Sequence, residues 1–427
     1  MDLRERDRKV IWHPYTQMKN ALPHIPIVRG EGVNLYDHDG KKYIDAVSSW
    51  WVNIHGHAHP HIAEMVSAQL KSLEHVIFAG FTHEPAVQLA ERLLPLLPGA
   101  QSKVFYSDNG STAVEVALKM CLQYWANKKE NGKSQANRTK LIAFKDAYHG
   151  DTFGAMSVSG RSIFTDPFAS LLFDVEFIEL PHAGNIEQLK SKINYLSNEV
   201  ACFIFEPLVL GAGGMLMYEA EYLDQLLAVC EKHGILTIAD EVMTGFGRTG
   251  TFFACEKLTQ RPDIFCLSKG LTGGTMPLGV TTCNEKVFEA FLSEDKLKTL
   301  YHGHSFTANP VACAASLASM DILLNGETLA NIKRVEASHA AFVSEVGSHP
   351  KVKNVRQTGT IVVVEWETGE DSSYLSGLRD KLYLYFLKKG IILRPLGNTI
   401  YILPPYVISN EELRYIYDSI LTALDEI

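Results

Sequence analysis

Two short stretches decide the fold: Ile235-Leu236-Thr237-Ile238-Ala239-Asp240-Glu241 and Ile264-Phe265-Cys266-Leu267-Ser268-Lys269-Gly270. Each is a nearly continuous apolar run that stops abruptly at polar or charged residues, the pattern of a parallel strand buried on both faces. Asp240 and Lys269 stand 29 residues apart, enough chain for a crossover between parallel neighbours. Working outward, Lys103–Ser107, Lys140–Phe144 and Ala201–Phe205 extend the series. Between the first two, Val114, Ala117, Leu118, Cys121, Leu122 and Trp125 recur at helical spacing and predict a helix packed on the sheet. The core is therefore expected to be α/β with a mostly parallel sheet.

Beyond about residue 320 the pattern changes to a long amphipathic stretch, strand-like runs at Gly359–Glu365 and Thr399–Leu403, and a final helix from Asn410. This predicts a smaller α+β lobe. The first 50 or so residues read as turns and short strands punctuated by Gly30, Gly32, Asp37, Asp39 and Gly40. The expected organisation is an N-terminal segment, 1–55, joining the small domain; a large domain, 56–319; and a C-terminal small domain, 320–427.

Composition bounds the function. The 427 residues carry 40 Lys+Arg against 49 Asp+Glu, a formal net charge of −9, with no basic block of the kind that phosphate backbones need. No apolar run is long enough for a membrane span, and small molecules are the expected partners. Residues 1–15 hold charge and no apolar stretch, and seven cysteines stand scattered without a C-x-x-C pair. A cytoplasmic protein with free thiols is expected.

Ligands of open parallel sheets bind beyond the carboxyl ends of the strands, so four strand ends matter. Asp240 and Lys269 end two of them; the pair also reads as a structural acid and a snorkelling lysine. A third end opens into Asp108-Asn109-Gly110-Ser111 and the strong helix, offering backbone N–H groups and a positive dipole to a phosphate. An ordinary capped turn has the same look. The fourth leads to Tyr148-His149-Gly150, where an aromatic ring could cover a flat ligand. A phosphate site, a carboxylate for a ring nitrogen and a lysine for an aldehyde together suit pyridoxal 5'-phosphate.

With these residues the chain resembles the class III, fold type I aminotransferases over essentially its whole length. The resemblance rests on Ser107-Asp108-Asn109-Gly110-Ser111, Tyr148-His149-Gly150, Ile238-Ala239-Asp240-Glu241-Val242, Gly245-Phe246-Gly247-Arg248-Thr249-Gly250 and Ser268-Lys269-Gly270. More narrowly, Trp12-His13-Pro14-Tyr15-Thr16-Gln17-Met18, Trp50-Trp51, Leu271-Thr272-Gly273-Gly274-Thr275-Met276 and Arg394-Pro395-Leu396-Gly397 are similar to the biotin-pathway branch, which aminates 8-amino-7-oxononanoate. The resemblance implies that Lys269 carries the cofactor and shuttles the proton, and that Asp240 pairs with the pyridine nitrogen. Gly110 and Ser111 would hold the phosphate, Tyr148 would stack on the ring, and Val242 would pack its other face. It also implies a homodimer with shared active sites, His304 and Ser305 reaching the phosphate from the partner subunit. Tyr15, Trp51, Tyr148, Lys269, Gly303 and Arg394 would contact substrate, Arg394 forking onto a carboxylate. His304-Ser305 departs from the Pro-Thr common in that branch, although the Ser305 hydroxyl preserves a phosphate contact.

The implied reaction is ping-pong transamination of 8-amino-7-oxononanoate to 7,8-diaminononanoate, with S-adenosylmethionine as donor and Tyr15 the residue associated with it. A lysine-dependent version, or an omega-aminotransferase acting on an omega-amino acid or diamine, would share every cofactor residue. Gly245 to Gly250 also fits G-x-G-x-x-G, but the motif starts five residues past its strand and opens no convincing helix, against a dinucleotide site. His55, His57, His59 and His61 alternate as if on one strand face, without accompanying ligands at metal spacing. No metal is expected there, nor elsewhere in the chain.

Overall fold

A computed structural model describes residues 2–130, 133–134, 137–368 and 377–427. A seven-stranded sheet runs in the spatial order Gln101–Ser107, Gly279–Asn284, Ile264–Leu267, Leu236–Asp240, Val200–Phe205, Lys140–Phe144, Glu176–Ile178. The five predicted strands are all present, each within a residue or two of its expected ends. Leu236–Asp240 pairs in parallel with neighbours on both sides, Ala239 standing opposite Phe205 and Phe265. Every residue of Val200–Phe205 and Ile264–Leu267 is buried. Such two-sided burial is why these strands read as unbroken apolar runs rather than alternating ones.

Two strands of this sheet are not among those expected: the short edge strand Glu176–Ile178, parallel to Lys140–Phe144, and Gly279–Asn284. Gly279–Asn284 lies antiparallel between Ile264–Leu267 and Gln101–Ser107, inserted by a short return after Lys269 that needs no crossover helix. Gly279 fits there because an added Cβ would lie 2.2 Å from the Asn109 carbonyl oxygen.

The expected helix runs from Gly110 to Asn127. Asn109 and Thr112 form a reciprocal capping box at its start, and the Trp125 indole N–H donates to the Ala201 carbonyl at 2.8 Å, pinning its far end to the sheet. Val114, Ala117, Leu118, Cys121 and Trp125 are buried as expected, but Leu122 stays 36% exposed. The buried face widens on its other side to take in Ala113, Val116, Met120 and Tyr124, all enclosed as well.

Near the N-terminus, Ile27–Glu31, Asn34–Asp37 and Lys42–Asp45 form an antiparallel ribbon, and Ile391–Ile392 adds to it in parallel beside Lys42–Asp45. The first and last parts of the chain thus share one sheet. Val352–Thr358, Ile361–Trp366 and Thr399–Ile402 make a second antiparallel sheet, covered by Gly326–Val346 and Asn410–Glu426. No described helix is long and apolar enough to cross a membrane, and all seven cysteines are buried free thiols.

Two sequence features resolve into structure here. The Gly245 to Gly250 segment is a series of turns leading to a short 3-10 turn, Ala254–Lys257. Gly247 has φ +100°, and a Cβ there would meet the Tyr406 hydroxyl at 2.9 Å, so its glycines serve close packing against the C-terminal lobe. The four alternating histidines do not share a strand face. They lie in a turn and the start of a helix, with His55 bonded to Ser319, His57 to Asp45 and His61 to Asp321.

Candidate active site

Asp240 and Lys269 end adjacent parallel strands, so the sheet itself brings them to one cavity. This cavity, of about 700 Å³, is lined by Gly110, Ser111, Tyr148, Asp240, Val242 and Lys269 among others. Every residue that the sequence places on the cofactor from within one chain is therefore gathered in it. Gly303, His304 and Ser305 are not; they line neither this cavity nor the neighbouring one. Ser305 is exposed, its carbonyl accepting from His75, while His304 sits 3.3 Å from Asp108 and 3.0 Å from His302.

Lys269 has φ +48°, a left-handed conformation that a side-chain-bearing residue adopts at a cost. The kink turns its side chain off the strand end and into the cavity. There it keeps a small accessible face but is otherwise enclosed, its ammonium 4.8 Å from the centre of the Trp51 ring. Enclosure lowers its pKa to about 8, against the pull of Asp240 and Glu206, whose charges favour the ammonium. A substantial neutral fraction near neutral pH makes it a nucleophilic amine.

Asp240 is 4% exposed, and each of its carboxylate oxygens has a partner. The Val242 N–H donates to Oδ1 at 3.1 Å, and His149 Nδ1 lies 2.7 Å from Oδ2. The buried Nε2 of His149 has no hydrogen-bond partner among the described residues. Glu206, also buried, accepts from the Tyr148 and Gly211 N–H groups at 2.9 and 3.0 Å, and burial raises its pKa to about 7. Sequence reasoning assigned no role to His149 or Glu206. His149 sits in the Tyr148-His149-Gly150 motif with its partner Asp240 distant in sequence, and Glu206 directly follows the strand Val200–Phe205, a fifth strand end with its own acid.

The phosphate side is equally built. The Ser111 hydroxyl lies 2.8 Å from that of Thr152, which donates to Glu115. Gly150 has φ +137°, and a Cβ there would stand 2.2 Å from the Ser111 hydroxyl; one on Gly110 would meet Val242 at 2.7 Å. Two glycines thus keep open a cradle at a helix N-terminus, facing a carboxylate and an enclosed amine. This donor set fits pyridoxal phosphate: anion-binding N–H groups and a hydroxyl, an acid for a ring nitrogen, and a primary amine for an aldehyde.

A second cavity, of about 810 Å³, shares Trp51, Tyr148, Asp151 and Lys269 with the first and extends past Tyr15, Trp50 and Phe164 to Arg394. Its walls come from both ends of the chain. The Tyr15 hydroxyl donates to Asp151 at 2.8 Å, the Trp51 indole donates to the Tyr401 hydroxyl at 3.0 Å, and the Arg394 guanidinium lies 3.8 Å over the Trp50 ring. Tyr15 and Trp51 hold φ of +51° and +66°, so strain concentrates in these walls as it does at Lys269. Asp151 is a further wall residue that sequence reading passed over.

A family model described as aminotransferase class-III matches residues 15–424. The chain belongs to the class-III aminotransferases. It is 46% identical to the adenosylmethionine-8-amino-7-oxononanoate aminotransferase of Synechococcus elongatus, over 98% of this chain and 99% of that one. The enzyme of the same name from Geobacter sulfurreducens is 40% identical over 98% and 96%. Among solved structures, that of the Methanocaldococcus jannaschii adenosylmethionine-8-amino-7-oxononanoate aminotransferase superposes with a TM-score of 0.94 at 37% identity, covering 99% of this chain and 98% of its own. An omega transaminase from Pseudomonas jessenii, in complex with PMP, gives 0.92 at 29% identity, covering 100% and 98%. The backbone is thus common to this aminotransferase and omega transaminases, and selectivity must be sought in the walls of the second cavity.

Proposed function

We propose that this aminotransferase uses pyridoxal phosphate to convert 8-amino-7-oxononanoate to 7,8-diaminononanoate in biotin biosynthesis, with S-adenosylmethionine as amino donor. The observation that carries the reading is the continuous aromatic-walled space from Lys269 to Arg394. A long chain ending in a carboxylate needs an apolar slot closed by a guanidinium, and relatives of that name match the chain from end to end.

Bound pyridoxal phosphate would supply an aldehyde that exchanges with amines and a ring that accepts the electron pair released at the substrate carbon. Gly110 and Ser111 would hold its phosphate, Tyr148 and Val242 would flank its ring, and Asp240, fixed by His149 and the Val242 N–H, would keep the ring nitrogen protonated. Lys269 Nζ would carry the proton between the substrate carbon that bears nitrogen and the cofactor's aldehyde-derived carbon, in one direction in the donor half-reaction and in the other with the keto acid. Arg394 pairs with the carboxylate of the keto acid, Trp51 packs its chain, and Tyr15 bears on the donor. The molecule works as a cytoplasmic homodimer in this proposal, Gly303, His304 and Ser305 completing the site of the partner subunit. Gly303 and Ser305 are exposed, and none of the three lines either cavity of its own chain, which supports that assignment.

The test is product analysis by mass spectrometry. Purified enzyme given 8-amino-7-oxononanoate and S-adenosylmethionine is expected to form 7,8-diaminononanoate. Product with lysine alone as donor would move the chain to the lysine-dependent reading. Turnover of omega-amino acids or diamines without any amination of this keto acid would overturn the proposal.

A further inference from the structure

Away from the cavities, three segments of the N-terminal region converge on one point. Asp7 lies on the helix Leu3–Val10, His13 lies two residues before the Tyr15 turn, and His24 follows the turn. His13 Nε2 is 2.9 and 3.1 Å from the two carboxylate oxygens of Asp7, and His24 Nδ1 is 3.0 Å from one of them. One donor atom from each residue lies within 4.8 Å of the other two.

We propose that Asp7, His13 and His24 bind a divalent transition ion of the zinc type. Two imidazoles and a carboxylate are the ligand set such an ion takes when its fourth position is left to water. Donors around a tetrahedral zinc stand about 3.3 Å apart, as bond lengths near 2.0–2.1 Å require. The nitrogen-to-oxygen separations here are a few tenths of an ångström shorter, so the cluster needs to open only slightly. The two rings lie 3.6 Å apart and 28° from parallel, and on binding they fan apart to aim both lone pairs at the ion. All three side chains remain 22–32% exposed, which leaves an entry path and room for a water ligand. Such an ion ties the first helix to the segments on either side of Tyr15, the residue that leans on Asp151 in the second cavity. It is a positioning element, distinct from the site of the chemistry.

The experiment is equilibrium dialysis of the cofactor-loaded full-length enzyme against zinc, with bound metal read by elemental analysis. Wild-type is expected to hold one equivalent per chain more than H24Q or H13Q, each of which weakens binding by about tenfold or more. H61Q, which alters the exposed His61–Asp321 pair, is expected to retain the wild-type equivalent. Thermal melting separates lost ligation from lost folding: zinc should raise the midpoint of wild-type and H61Q but not of a folded H24Q. Equal zinc content in wild-type, H13Q and H24Q, whether one equivalent or none, overturns the proposal.

Discussion

The two cavities meet at Lys269 and Trp51, yet they are built in opposite ways. The first is built mainly on one sheet: the ends of two adjacent parallel strands deliver Asp240 and Lys269, and a helix N-terminus delivers Gly110 and Ser111. The second is assembled from segments hundreds of residues apart, with Tyr15 and Trp50 facing Arg394 and Tyr401. In the proposed function the first cavity sets the chemistry and the second sets the molecule on which it is done. An omega transaminase and an adenosylmethionine-8-amino-7-oxononanoate aminotransferase superpose on this chain almost equally well, so the backbone alone does not separate the two.

The sharpest way to break this division is at the shared residue. Lys269→Ala is expected to lower turnover by at least about 10³-fold with every donor, since it removes the proposed proton-transfer group, while the cofactor stays bound without a covalent link. Stopped-flow turnover and gel filtration of the coloured protein check both halves. Substantial residual transamination would remove Lys269 from its role.

At the far end of the second cavity, Arg394→Ala should leave the donor half-reaction near its wild-type rate. It should lower kcat/KM for the keto acid about 10- to 100-fold, chiefly through KM, the loss expected for charge-assisted bonds to a carboxylate. An equal loss in both half-reactions would mean that Arg394 supports the fold rather than the acid.

The smallest effect concerns pH. Cofactor capture by the cofactor-free protein needs the neutral Lys269 amine, so its rate should rise with pH and level off above a midpoint near 8. Glu206, whose pKa is raised to about 7, is mostly ionised there and helps to hold the ammonium. Glu206→Gln removes that anion, so the midpoint should fall. A rise would reverse the sign of the coupling.

Much of the first cavity was legible in the sequence because buried parallel strands are apolar until the residue that leaves the sheet, which marks Asp240 and Lys269 directly. The antiparallel strand Gly279–Asn284 was not, since a strand reached by a short return carries no crossover helix to announce it. Leu122 shows the limit of a single helical stripe: the helix packs through a face wide enough to bury Ala113 and Tyr124 beyond the predicted line. The alternating histidines misled in another way, because period-two spacing was read as a strand where Pro60 in fact opens a helix. His149 and Glu206 matter through partners far away in sequence, and no local pattern reports such pairs. The same holds for Asp7, His13 and His24, which match no ligand spacing and meet only because the chain doubles back around Tyr15.

The central claim is that one Lys269 serves both cavities in two successive half-reactions. It is tested most directly by the visible absorbance of cofactor-loaded enzyme during addition of S-adenosylmethionine and then of 8-amino-7-oxononanoate. The account predicts that the band is lost with the first and returns with the second. A band bleached by an amino donor but never restored by this keto acid would contradict it.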